Sequence, residues 1–313
     1  MMKNIDLLCC VCKQRSDLKM INDTLVCTNV NCHHSKESNC FRIINGSPII
    51  ISEVECDTLC SADKIDSYVD RSESSFPVRA LRRIVSGKPK VTEDNCSEFV
   101  SLLRKANKKS KVLIIGSGEI GNGTEQLYKS KDIEILGTDI YLSNTVDYVS
   151  DAHFLPFKSQ SFDGVWIQAV LEHVVDPHKV VSEIIRVLKE EAYVYAETPF
   201  MQQVHEGPFD FQRFTLIGHR YLFKSFELIK MGGNQGAGVA LSWSLRYFFW
   251  GLFRSRLLAT IVSMPFTILL RFLDKFLDKS SLYDSSSGVF FLGKKTQSQL
   301  PQKDLIDLYK GMQ

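Results

Sequence analysis

A short apolar run, Val112 to Ile115, opens directly onto Gly116, Ser117, Gly118, Glu119, Ile120 and Gly121. Strand, glycine turn and helix follow in that order. A second apolar run, Ile133 to Gly137, ends in Thr138, Asp139 and Ile140, and a third short one ends in Asp151, Ala152, His153, Phe154, Leu155, Pro156 and Phe157. Three strand ends in this order and spacing constrain the chain to a parallel sheet with a nucleoside-cofactor pocket at its carboxyl edge.

Each part has a physical reason. Gly116 and Gly118 can take backbone angles closed to other residues, and they leave no side chain where a ligand must lie against the main chain. Asp139 stands about 20 residues beyond the glycine turn, where a carboxylate can accept both hydroxyls of a ribose. A nicotinamide protein would share these features, so the following segment decides the cofactor.

That segment carries Asp151, Ala152, Leu155, Pro156 and Phe157, then Leu171, Glu172, His173 and Val174. From about Val112 to Met231 the chain resembles the class I S-adenosylmethionine-dependent methyltransferases, in particular the type 11 subgroup with these two segments. The resemblance implies an α/β fold with a Rossmann-like, mostly parallel sheet whose last strand is antiparallel. It implies that Gly116, Ser117, Gly118 and Gly121 lie along the methionine and sugar of S-adenosylmethionine. Asp139 would hold the ribose hydroxyls, and Ile140 would pack on the adenine face. Asp151, helped by the backbone of Ala152, would accept from the adenine amine, and Gln168 would border the methionine end. Many such proteins carry an acid two positions before the first glycine, where this chain has Ile114.

With 313 residues, 44% of them apolar, the chain has material for one large core and a smaller module. A net charge of +2 gives no general reason to expect nucleic acid. Met1 to Cys12 has no signal-peptide pattern, so the expected location is the cytoplasm and the nine cysteines are expected as thiols or metal ligands. Six of them fall in the first 40 residues: Cys9, Cys10, Cys12, Cys27, Cys32 and Cys40. Cys9 and Cys12 form a knuckle, and Cys27 with Cys32 completes a candidate tetrahedral Zn²⁺ site. His33, His34 and Cys40 are nearby alternatives. The segment resembles a zinc-ribbon-like domain that precedes some bacterial methyltransferases, and a closed four-thiolate site would be structural.

The expected organisation is a zinc-ribbon-like module over 1–52, a connector over 53–95, a methyltransferase domain over 96–296 and a tail over 297–313. Helices are predicted at Phe76 to Val85 and Cys96 to Ala106. After a fifth strand, Ala192 to Ala196, a polar and aromatic loop holds Glu197, His205, Glu206, Asp210 and Arg213, where substrate and chemistry meet in such sheets. Methyl transfer to a hydroxyl needs positioning and a base. His205 is the first candidate, His173 the second, and Glu197 completes the candidate catalytic set.

An apolar, aromatic insertion occupies 236–284, between strands predicted at Phe226 to Met231 and Val289 to Leu292. Its longest uncharged run, Leu257 to Leu270, is 14 residues and contains Pro265, short of the roughly 20 that a span requires. With Arg246, Arg254, Arg256 and Arg271 among aromatics, 239–277 reads as helices for a membrane interface, or as a cap buried on the domain or in a homodimer. The leading expectation is a methyltransferase peripheral to the inner face of the membrane, transferring to a hydroxyl of a bacterial glycan, a lipid-linked intermediate or a small molecule. The alternatives are a non-catalytic scaffold with the same cofactor fold and an RNA or protein methyltransferase.

Overall fold

A computed structural model describes residues 5–12, 14–53, 56, 58–60, 90–107 and 109–313. Near the amino terminus, β1 (Leu18–Ile21) and β2 (Thr24–Cys27) form a hairpin through Asn22 and Asp23, whose φ angles are 46° and 58°. A second hairpin, β3 (Ile43–Ile44) and β4 (Ser47–Ile50), turns through Asn45 and Gly46 at 53° and 84°. Paired positive φ angles make the turn whose twist matches antiparallel strands, and Asn-Gly is its strongest sequence signal.

α1 (Lys90–Ala106) buries Thr92, Asn95, Cys96, Phe99, Val100 and Leu103, a three-and-four spacing that lines one helix face. It contains the helix predicted over Cys96 to Ala106; the one predicted over Phe76 to Val85 lies outside the described residues. The large sheet then builds through β5 (Ser110–Ile115), α2 (Glu125–Lys129), β6 (Ile133–Asp139), β7 (Tyr148–Ser150), β8 (Phe162–Gln168), α3 (Pro177–Val187) and β9 (Leu188–Pro199). It continues through α4 (Leu216–Leu222) and β10 (Phe226–Gly233), then α5 (Ala237–Phe253), α6 (Arg256–Leu273), α7 (Ser281–Ser285) and β11 (Gly288–Lys295).

The spatial order is β10-β11-β9-β8-β5-β6-β7-β4-β3. β11 pairs antiparallel with both β9 and β10, while β5 to β9 pair in parallel, giving a Rossmann-like sheet with its last strand reversed. Helices cover both faces. Leu113, Ile115, Val165 and Ile167 pack in one cluster with Val180, Val181 and Ile184 of α3. Val112, Ile114, Trp166 and Tyr195 pack in the other with Phe99 and Leu103 of α1. Strands buried on both faces explain why their sequences are continuous apolar runs without alternation. A Cβ on Gly164 would lie 2.8 Å from Phe99 Cζ, so that strand position admits the α1 ring only as glycine.

The amino-terminal module shares the core of the large sheet. β4 extends the sheet by pairing in parallel with β7, Ile49 with Val149 and Ile50 with Ser150. The Leu8 amide donates to the Pro156 carbonyl at 2.9 Å, and Leu7, Leu25 and Phe41 join the cluster that contains Phe157 and Leu113. This continuity was not legible in the sequence, because β4 carries no pairing signal that distinguishes β7 from a partner within its own module.

α5 and α6 form an antiparallel hairpin inserted between β10 and β11. The carboxylate of Asp274 caps α5, accepting from the Gly238 and Val239 amides at 2.7 and 3.1 Å. Gly238 fits here because a Cβ would stand 2.5 Å from the Leu270 carbonyl. Small buried residues, Ala259, Ser263 and Thr267, recur every four positions on one face of α6. The opposite surfaces expose Phe248, Leu252, Leu257, Ile261, Phe272 and Phe276, at 53 to 72%. The uncharged run of 14 residues lies within a longer helix that continues through Pro265, and Arg256–Phe276, 21 residues with mean hydropathy 1.6 and 17% of its apolar window buried, is long and apolar enough to cross a membrane by length and composition alone.

Candidate active site

The candidate cofactor side is built from consecutive strand ends. Gly116, after β5, has φ +80°, and a Cβ there would lie 2.2 Å from Val170 Cγ2. Its amide and that of Ser117 both donate to the Thr138 carbonyl, at 2.9 and 3.1 Å. Ser117 is fully buried, and its hydroxyl has no hydrogen-bond partner among the described residues. Asp139, at the end of β6, accepts from the Gly118 amide at 2.8 Å through Oδ2 and from the Ile140 amide at 2.7 Å through Oδ1. A Cβ on Gly118 would press within 2.8 Å of that same Oδ2, so the turn and the acid meet only with glycine there.

Gln168, at the end of β8, reaches back over the turn. Its Nε2 donates to the Asn122 carbonyl at 3.3 Å, and a Cβ on Gly121 would stand 2.5 Å from its Oε1. Asp151, just after β7, is buried; its Oδ1 accepts from the His153 amide at 2.8 Å and pairs with His153 Nδ1 at 2.6 Å. Its Oδ2 accepts from the Thr58 hydroxyl at 2.5 Å. Burial alone would raise the Asp151 carboxyl, but these hydrogen bonds hold it below its ordinary range. Ala152 is buried in the turn that follows, and Ile140 is half-buried beside Asp139. Thr58 is a contact that the sequence reading missed, since nothing in its spacing from Asp151 announces it.

The acceptor side joins two segments far apart in sequence. The loop after β9 docks on the turn after β8: the Phe211 amide donates to the Glu172 carbonyl at 2.8 Å, and His173 Nδ1 lies 2.8 Å from the Phe209 carbonyl. His173 and His205 meet edge to face, ring centres 4.7 Å apart. Their Nε2 atoms each stand 3.7 Å from Oε1 of Glu172. Glu172 is fully buried, and neither of its carboxylate oxygens has a hydrogen-bond partner among the described residues. Burial pushes its carboxyl up to about 8. Burial, then the neighbouring His173, pushes His205 below its ordinary value, so its imidazole is neutral near pH 7.

Asp210 faces His205 Nδ1 at 3.3 Å and accepts from the His205 amide at 2.8 Å. Against the effect of burial, the Arg213 fork and that amide hold Asp210 at about 2. His205, His173, Asp210 and Arg213 were singled out in the sequence; Glu172 was quoted only as part of a motif. Its signal was a carboxylate set in an apolar stretch, between Val170, Leu171 and Val174. Glu197 is directed elsewhere: it accepts from the hydroxyls of Thr92 at 2.9 Å and Tyr195 at 2.6 Å, and from Asn234 Nδ2 at 3.0 Å.

A family model described as a methyltransferase domain matches residues 113–196, the stretch that holds the glycine turn, Asp139, Asp151, Gln168 and Glu172. That stretch is a methyltransferase domain. No curated protein matches the chain. Among solved structures, the chain is similar to a putative sarcosine dimethylglycine methyltransferase from Galdieria sulphuraria at 14% identity and TM-score 0.44, over 66% of this chain and 85% of that one. It is also similar to a methyltransferase from Archaeoglobus fulgidus at 17% identity and TM-score 0.43, over 70% and 99% of the two chains. Phosphoethanolamine N-methyltransferase 2 from Haemonchus contortus, in complex with S-adenosylmethionine, gives 20% identity and TM-score 0.38 over 64% of this chain and 53% of that one.

Ile114 is buried in the α1-facing cluster beside Trp166. The cysteines form a separate centre. Cys9, Cys27 and Cys32 place their sulfurs within 4.8 Å of one another, and the Cys9 and Cys32 sulfurs are 3.7 Å apart. Two thiolates on a tetrahedral Zn²⁺ lie about 3.8 Å apart, so these three fit the ion. Cys12 stands just outside the trio, its sulfur 3.5 Å from the Ser16 hydroxyl and 3.1 Å from Asn29 Nδ2. His34 is committed elsewhere, with its ring nitrogens 2.5 Å from the Asn39 carbonyl and 2.8 Å from the Ser52 hydroxyl.

Proposed function

We propose that this methyltransferase works on the cytoplasmic face of a membrane and methylates a hydroxyl of a bacterial glycan or of its lipid-linked intermediate. The observation that carries this reading is the attachment of the apolar hairpin to the acceptor loop. Tyr247 of α5 donates to the Val204 carbonyl at 3.1 Å, and Gln203 donates to Ser244 at 2.9 Å. The residues next to His205 are thus tied to the helix pair whose outer surface is apolar. Lying in the interface, that surface would bury Phe248, Leu257 and Ile261 in the acyl boundary while Arg254 and Arg256 meet anionic headgroups. An acceptor carried on a lipid would then arrive at the loop from the bilayer side.

S-adenosylmethionine, when bound, supplies an electrophilic methyl group on a sulfonium sulfur. Gly116, Ser117, Gly118, Gly121 and Gln168 would hold its methionine and sugar, Asp139 its ribose hydroxyls, and Asp151 with Ala152 and Ile140 its adenine. Glu172, His173 and His205 would activate the acceptor hydroxyl, the neutral imidazole of His205 being free to take a proton or a cation. A structural Zn²⁺ on Cys9, Cys12, Cys27 and Cys32 would require only that the Cys12 side chain swing from Ser16 into the trio.

The test is transfer of a labelled methyl group from S-adenosylmethionine to lipid extracts and to delipidated glycans. Label in a lipid-linked fraction supports the reading. Label only in delipidated or small polar acceptors, with no vesicle binding by the protein, overturns the membrane part of it.

A further inference from the structure

The three side chains on the acceptor side are arranged as a ligand set. The geometry points to a divalent transition-metal site formed by Glu172 Oε1, His173 Nε2 and His205 Nε2. These atoms lie within 4.8 Å of one another, and each imidazole nitrogen stands 3.7 Å from the shared carboxylate oxygen. That spacing is too long for a hydrogen bond. Two ligands at about 2.1 Å from one ion sit about 3.0 to 3.4 Å apart, so small side-chain rotations close the set around a cation.

The far nitrogen of His173 supports the same conclusion. Nδ1 of His173 faces the Phe209 carbonyl at 2.8 Å, and Nδ1 of His205 faces Asp210 Oδ2 at 3.3 Å. The carbonyl at Nδ1 of His173 places the proton there and leaves its Nε2 lone pair turned toward Glu172, whereas Nδ1 of His205 makes no hydrogen bond among the described residues. A carbonyl behind the His173 imidazole is the arrangement that orients histidine ligands on metals. Glu172 is fully buried with both oxygens unpartnered among the described residues, while the nearby Asp210 and Arg213 neutralise each other. An isolated buried carboxylate is costly, and a dication removes that cost.

Two imidazoles and one carboxylate suit Zn²⁺, Fe²⁺, Co²⁺ or Ni²⁺ better than Mg²⁺ or Ca²⁺, and three protein ligands leave positions open. The site is therefore distinct in kind from the cysteine centre. It deepens the proposed function and rests on that reading for its role: an acceptor hydroxyl on an open position would lose its proton to water more readily. The oxygen would then form the new bond to the methyl carbon as the carbon–sulfur bond breaks, with its electron pair staying on sulfur.

The test uses Co²⁺ alone, titrated into chelator-treated full-length protein with no acceptor or membrane present. Thiolate-bound Co²⁺ gives strong sulfur-to-metal charge-transfer bands, whereas imidazole and carboxylate ligands give only weak visible bands. The expected result is an equivalent of Co²⁺ that lacks charge transfer and is weakened at least tenfold in Glu172→Gln and in His205→Ala. S-adenosylmethionine binding by both variants reports that they are folded, and His205 is a half-buried loop residue whose removal leaves the core intact. An equivalent of Co²⁺ that persists unchanged in both variants, or Co²⁺ bound with charge-transfer bands alone, overturns the proposal. Because neither glycan nor lipid enters the experiment, its failure leaves the acceptor reading standing, and a failed acceptor search leaves the metal site standing.

Discussion

Arg15 grips Glu183 with a two-pronged ion pair, Nη1 to Oε2 at 3.1 Å and Nη2 to Oε1 at 2.7 Å, joining the cysteine-bearing loop to α3. Arg186 holds the same carboxylate from within the helix, at 2.9 and 2.7 Å. Burial would raise Glu183, but the two guanidiniums keep it below its ordinary value. A depressed carboxyl stabilises the fold above the unfolded pKa, and the contribution is lost as pH falls through the native one. Thermal unfolding should therefore show a larger loss of stability between pH 7 and pH 4 in the wild type than in Glu183→Gln. Arg15→Ala should cost less than about 1 kcal/mol at pH 7, because its side chain is 42% exposed and Arg186 remains.

Asp139→Ala should weaken S-adenosylmethionine binding by about 10- to 100-fold, the worth of hydrogen bonds to a charged group. Gly116→Ala should do at least as much, since φ is +80° and the new Cβ would overlap Val170. Calorimetric titration measures both. Binding unchanged in Asp139→Ala would remove this acid from the ribose site.

If the cysteine centre holds Zn²⁺, purified protein should contain the metal, and a strong chelator should lower the unfolding temperature by several degrees. Cys9→Ser should do the same without chelator. Cys96→Ser should leave metal content unchanged, because that thiol is buried in the α1 cluster, remote from the trio in the chain and in the packing. Metal analysis by mass spectrometry with matched melting curves decides the matter.

The triple substitution Phe248→Ser, Leu257→Ser and Ile261→Ser should abolish sedimentation with anionic vesicles while leaving cofactor binding intact. The wild type should be released progressively as salt rises, through screening of Arg254 and Arg256. Equal sedimentation of wild type and variant would assign this surface to another partner.

The cofactor side of the fold was legible because its requirements are local. Glycines after β5 and an acid ending β6 must stand at fixed distances from a strand, and the sequence records those distances directly. The acceptor side was half legible. His205 and Asp210 share a loop, but their meeting with Glu172 depends on how that loop lies over the turn after β8, a contact made by backbone groups that every residue possesses. The Asn45–Gly46 turn carried a strong local signal, yet the pairing of β4 with β7 is nonlocal and had none. The uncharged run Leu257 to Leu270 understates α6, because the helix begins at Arg256, passes Pro265 without interruption and continues beyond Arg271 to Leu273.

The pairing of Ile49 and Ile50 with Val149 and Ser150 bears on how this enzyme can be handled. A fragment cut after residue 52 would keep the candidate cofactor and acceptor residues but would lose the strand that covers β7, turning Tyr148–Ser150 into an open edge with unsatisfied amides and carbonyls. Such a fragment would tend to aggregate by adding strands from its own copies. The first fifty residues are thus a permanent chaperone for the edge they cover, and recombinant production should begin upstream of Leu7.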